Sequence, residues 1–158
     1  MQPLGCMSDY AITYTVEASP AEVFAAINDV RAWWDGVIQG PTEHVGDVFT
    51  YSHEPEHRSV QRITESVPGE RVVWHIDEAE LTFVEDRGEW TSTDVVFEID
   101  PAPDGARLTF THRGLRPDVE CYEACSTAWG FYVSGALRRR VEGTAGRSGV
   151  TKREGLDG

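Results

Sequence analysis

Cysteine is scarce in this chain, with three in 158 residues. An odd number cannot close into pairs, and Cys121 and Cys125 stand one helical turn apart, where disulfide geometry is poor. A disulfide-stapled scaffold is therefore excluded; with Cys6, these read as reduced thiols of a cytoplasmic protein, the two in the helix serving as small packing groups. Positive charge is scarce as well. Fourteen basic residues face 27 acidic ones, a formal charge of −13, which repels phosphate backbones and anionic bilayer surfaces and excludes a general nucleic-acid or membrane-surface binder. Long apolar runs are absent. Leu4-Gly5-Cys6 looks superficially like a lipidation site, but no basic region and apolar stretch precede it, so neither a signal peptide nor a membrane span is expected. No phosphate-cradling Gly loop and no Ser/His/Asp order is present, nor any repeat or low-complexity block.

What the chain has is aromatic mass. Five Trp, six Phe and five Tyr in a sequence that is 40% hydrophobic are enough for one well-buried core. The expected domain spans residues 10–143, with flexible tails at 1–9 and 144–158.

Ile12, Tyr14 and Val16 alternate with polar residues, the period of a strand with one buried face. Ser19-Pro20-Ala21-Glu22 then opens a helix, with Ser19 as N-cap, Pro20 in the first turn and Glu22 closing a capping box. Val23, Phe24, Ile27 and Val30 form its apolar face. Trp33-Trp34 belong to a second short helix or turn ending near Asp35-Gly36, and Gly40-Pro41 marks a loop. From Gly46 the period returns to two: Phe49 and Tyr51 in one strand, residues 60–67 in the next, and Val72, Trp74 and Ile76 after the Pro68-Gly69 turn. Within 58–67, Val60 and Ile63 are out of phase, which points to a bulge or only a loosely specified face. A short strand is expected at 81–84 and a clear one at 90–99, followed by a hairpin turn at Asp104-Gly105. Leu108, Phe110 and His112 alternate in the last strand.

Residues 117–143 read as one long helix. Tyr122, Cys125, Trp129, Val133, Ala136 and Leu137 trace an apolar stripe, Pro117 suits its start, and Gly143 suits a left-handed C-cap. The layout is α+β: a curved antiparallel sheet of about six to seven strands wrapped around the C-terminal helix, with two short helices after the first strand.

Phe49, Tyr51, Trp74, Phe97, Phe110, Trp129, Tyr132 and Val133 project from the concave sheet face or the helix stripe. Each is either core or the lining of a cavity; as a set, aromatics of this size seldom fill a curved sheet completely, which points to an apolar pocket. His112 lies on the same inward face, where it can orient a ligand, act as an acid or base, or simply be a satisfied core histidine. His44, His53 and His57 with Glu43, Glu54 and Glu56 form a local cluster without firm metal-ligand spacing, so no metal or other cofactor is expected. Glu120 caps the first helical turn or faces the cavity mouth.

The run Ser-Pro-Ala-Glu-Val-Phe-Ala-Ala-Ile at 19–27 with Trp33-Trp34, Glu89-Trp90-Thr91 with Thr93, and Glu120-Cys121-Tyr122 followed by Cys125 and Trp129 together resemble the START-like helix-grip (SRPBCC) superfamily. Within it they resemble the branch named for the activator of the heat-shock-protein-90 ATPase. The family usually has Gly where this chain has Ser92 and Ala128. The resemblance implies a helix-grip fold and binding of a small hydrophobic or aromatic ligand between sheet and helix. It implies as alternatives a chaperone-associated interaction domain or, from elsewhere in the superfamily, a polyketide cyclase or aromatase using His112 or Tyr51. Exposed edge strands make a homodimer a further expectation.

Overall fold

The computed structural model describes residues 9–34, 36–53, 57–81, 91–116 and 122–143. Seven strands form one antiparallel sheet: β1 (Tyr10–Val16), β2 (Val37–Gln39), β3 (Val48–His53), β4 (His57–Val67), β5 (Arg71–Leu81), β6 (Asp94–Ala102) and β7 (Gly105–Arg113). Their order across the sheet is β1-β7-β6-β5-β4-β3-β2. From β2 to β7 the chain is thus a meander of neighbouring strands, while β1 leaves its sequence neighbours and pairs with β7, Tyr10 opposite His112 and Val16 opposite Ala106. With the C-terminal helix packed on the curved sheet, the architecture is the α+β helix grip expected from the sequence.

Helix α1 (Pro20–Asn28) carries the full capping box: the Glu22 amide donates to Ser19 Oγ at 3.1 Å and the Ser19 amide to Glu22 Oε1 at 2.9 Å. Two of the orphan donors of the first turn are met in this way. A single 3₁₀ turn (Val30–Ala32) follows, and it turns the next two residues inward. The Trp33 indole N–H then bonds the carbonyls of Ala26 and Ile27 at 3.1 and 3.3 Å, in the last turn of α1.

The structure differs from the sequence expectations at several points. β2 is not foreseen, because three residues are too few to show a period. β5 is one strand of 11 residues where two separate pieces are expected; its second half alternates Glu78 and Glu80 outward with only Ala79 inward, too little apolar signal to read. Residues 82–84, Trp90 and Asp35 lie outside the described residues, and β6 begins at Asp94. The hairpin is displaced by one: Ala102 pairs with Gly105, so Pro103-Asp104 make the turn and Gly105 opens β7. In β4 the phase is intact, with Ser59, Gln61 and Ile63 all buried and Val60 on the other face. The expected bulge is present in the pairing, where Thr64 is extra on β4, and a second irregularity leaves Asp77 extra on β5.

The described part of the C-terminal helix runs over residues 122–143. It begins as α2 (Tyr122–Trp129) and widens to π-helical turns across Gly130–Leu137 before ending in ordinary α geometry. Pro117, Glu120 and Cys121 lie outside the described residues. Its buried residues are Cys125, Trp129, Val133, Leu137 and Val141, a strict step of four. On a 3.6-residue helix such a stripe drifts by about 40° per step; the wider i→i+5 turns in the middle counter that drift. Tyr14 of β1 donates its hydroxyl to the Val133 carbonyl at 2.7 Å within this widened segment. Gly130 and Gly135 in this segment have ordinary room for a side chain, with nothing nearer than 3.7 and 3.4 Å.

No helix among the described residues is long and apolar enough to cross a membrane.

Candidate functional site

The inner face of the sheet is built by the alternation just described. Phe49 and Tyr51 from β3, Ser59, Gln61 and Ile63 from β4, Trp74 and Ile76 from β5, Val95 and Phe97 from β6 and Phe110 and His112 from β7 are all buried. The helix contributes Cys125, Trp129 and Val133, and the turn after α1 contributes Trp33 and Trp34. The rings touch in a continuous layer. Trp34 stacks on Tyr51 with centroids 3.8 Å apart and lies 5.7 Å from Trp74 and 5.4 Å from Trp129. Phe49 and Phe97 meet Trp74 edge-on, each at 5.1 Å, and Phe110 lies 5.3 Å from Phe97 and 4.8 Å from Trp129. Apart from the closer Trp34–Tyr51 stack, these separations fall in the range aromatic pairs prefer.

Of the expected lining residues, Phe49, Tyr51, Trp74, Phe97, Phe110, His112, Trp129 and Val133 are therefore brought together. Tyr132 is only partly buried and packs edge-on against Phe131, which is 62% exposed. Trp33, Trp34, Ser59 and Gln61 are missing from the sequence-based set. The tryptophans follow a turn with no periodicity, and Ser59 and Gln61 are polar at inward positions that a pattern search assigns to apolar residues.

One end of this face is polar. His112 is fully buried and both of its ring nitrogens are engaged: the Trp129 indole N–H donates to Nδ1 at 3.0 Å, and Nε2 lies 2.9 Å from Thr93 Oγ1. An indole can only donate, so Nδ1 is the acceptor, the proton sits on Nε2, and the ring is neutral. Burial pushes its pKa down to about 3, with nearby Asp9 opposing and His57 adding to the shift. Backbone geometry sets Thr93 in place. Ser92 N donates to the Ile76 carbonyl and Ile76 N to the Thr93 carbonyl, both at 2.8 Å, so two residues face one in a bulge. Its first residue, Ser92, takes φ 67°, the left-handed position that such a bulge reserves for Gly and where the resembled family has Gly. Gly114 lies beside it, and a Cβ there would come within 2.6 Å of Thr93 Cγ2. Ser92→Gly is expected to raise stability by about 1 kcal/mol by removing this backbone cost; a denaturation midpoint at or below that of the parent chain would contradict the account.

The second polar group runs along β4. Gln61 Nε2 donates to Ser59 Oγ, which lies 2.9 Å from His57 Nε2. The His57 ring stands edge-on to Tyr51 and Trp34, with centroids at 4.9 and 6.1 Å. Burial pushes its pKa down to about 3, and His53, its cross-strand partner, adds to the shift. Gln61 Oε1 is buried and has no hydrogen-bond partner. No charged side chain is buried among the described residues. His44 is apart from this group, in an exposed loop held by Asp47, and Glu54 and Glu56 lie outside the described residues. No group of three candidate metal ligands forms among the described residues. Cys125 is a buried free thiol on the helix stripe.

Comparison with known proteins agrees with this geometry. The family described as Activator of Hsp90 ATPase homolog 1-like protein matches residues 17–142. The solution structure of the Aha1 dimer from Colwellia psychrerythraea is similar at a TM-score of 0.69 and 18% identity, over 86% of this chain and 97% of that one. Protein MLL2253 from Mesorhizobium loti is similar at 0.70 and 17%, over 87% and 98%. DynU16, from the dynemicin biosynthetic locus, is similar at 0.63 and 18%, over 85% of this chain and 47% of that one. At these identities the likeness shows the fold. A comparison with curated proteins returns no match.

Proposed function

Because the chain belongs to the Activator of Hsp90 ATPase homolog 1-like family, we propose that it is a binding module that holds a small apolar or aromatic molecule between the inner face of its sheet and its C-terminal helix. The observation that carries this reading is the make-up of that face, an aromatic layer interrupted at one end by an uncharged polar row. Apolar walls with a few fixed polar groups are what small-molecule sites are made of. Catalysis is not favoured by His112, whose two nitrogens are already committed to Trp129 and Thr93, so a cyclase-like acid/base role finds no support there.

A ligand that binds only the folded chain stabilises it by about 2.7 kcal/mol at a hundred times its dissociation constant. For a domain of this size that raises the melting temperature by about 10 °C. A thermal-shift screen with aromatic small molecules is expected to find such a rise; a panel that moves nothing would sink the reading. A protein-partner role is the second reading, favoured by the family's description and by the dimeric Aha1 structure. Capture of a chaperone by the full chain would support it, and light scattering would show whether the chain pairs with itself.

A further inference from the structure

Gln61 is a polar side chain at a position the strand pattern gives to an apolar one, and it is 0% exposed. Its cross-strand neighbours are Phe49 on β3 and Ile76 on β5, whose side chains have no donor to offer. Its Nε2 is committed to Ser59 Oγ, which bonds on to His57, so the amide is held with its donor side occupied. The amide oxygen is left buried and unmet. On the helix wall the indole N–H of Trp129 is engaged by His112. Leaving a buried acceptor unpaired costs free energy that a pairing donor would recover. The structure also sets a limit on charge: with no charged side chain buried among the described residues, an ionised ligand would be desolvated here without a partner.

Resting on the binding reading above, we infer that the molecule held on this face is uncharged and donates a hydrogen bond, from a hydroxyl or an N–H, to the side-chain oxygen of Gln61. The site is then selective by chemistry and not by shape alone. An aromatic body packs against the rings, and its polar edge completes the Gln61-Ser59-His57 row.

Calorimetric titration of the full chain with naphthalene, naphthol, methoxynaphthalene and naphthoate, substituted at the same ring position, tests this. One body is kept while the polar edge changes from none to donor, acceptor only and anion. Naphthol is expected to bind about 3- to 10-fold more tightly than naphthalene, the worth of one net hydrogen bond. Methoxynaphthalene is expected to match naphthalene, and naphthoate to bind at least about 10-fold more weakly than naphthol. In Gln61→Met, which keeps length and volume, the preference for naphthol over naphthalene is expected to vanish. Equal binding of naphthol and naphthalene to the parent chain, as when water already fills the acceptor, overturns the inference and leaves the binding reading intact. Methoxynaphthalene binding as tightly as naphthol reverses the amide and overturns it too. Binding of none of the four removes the binding reading and the inference with it. The parent-chain comparison decides the matter even if the variant does not fold.

Discussion

Trp129→Ala is expected to lower the unfolding free energy by about 3–5 kcal/mol, the cost of deleting a large buried aromatic whose site collapses only in part. Trp129 is buried, and its ring joins the helix to Phe110 at 4.8 Å and to Trp34 at 5.4 Å. The substitution also strips His112 Nδ1 of its donor, leaving an acceptor buried and unmet. Trp129→Phe separates the two effects. It keeps a ring in the layer but removes the N–H, and a loss of about 1–3 kcal/mol is expected from the orphaned nitrogen and the reduced volume. Urea denaturation of both variants checks the pair. An Ala variant within about 1 kcal/mol of the parent would mean that the helix is not anchored through this residue.

Acid is the second strong lever. His112 and His57 are held near a pKa of about 3 in the folded chain, against about 6.5 when unfolded. As the pH falls below 6.5 the unfolded chain takes up protons that the folded chain refuses, so stability is present above that pH and is lost progressively toward pH 3. At pH 5 the loss from His112 is about 2 kcal/mol, since each pKa unit is worth about 1.36 kcal/mol. His57, partly open to solvent, adds a smaller share. Stability measured from pH 7 to pH 4 should fall steeply, and His112→Gln should flatten the curve by up to one proton's worth. Parallel curves for parent and variant would show that the buried ring does not control the acid limb.

Much of the architecture was legible because local chemistry and long-range structure agree. The Ser19–Glu22 capping box, the alternation of β1, β6 and β7 and the stripe of the C-terminal helix each carry a physical signature that needs no partner to be seen. Most of the aromatic face follows from the same period. What could not be read depends on context. Gln61 and Ser59 break the apolar pattern because they serve the interior as hydrogen-bonding groups, so these inward residues look like solvent-facing ones. Trp33 and Trp34 enter the core from a turn, where direction is set by the end of α1 and not by a repeat. The π-helical turns of Gly130–Leu137 announce themselves only as a step of four sustained too long. Ser92 is the converse case: the departure from Gly was visible, but its cost appears only once the bulge opposite Ile76 is seen.

The place of β1 has a consequence for how the molecule comes into being. As the ribosome releases the chain, β2 to β7 can zip one hairpin at a time, each strand meeting a partner synthesised just before it. The first strand to emerge waits longest, because its partner lies about a hundred residues downstream, where Tyr10 meets His112. Closing so large a loop is the slow step of such a topology. Until β7 arrives, Ile12, Tyr14 and Val16 lack the strand that pairs with theirs, and its arrival sets the first strand of the sheet beside the last.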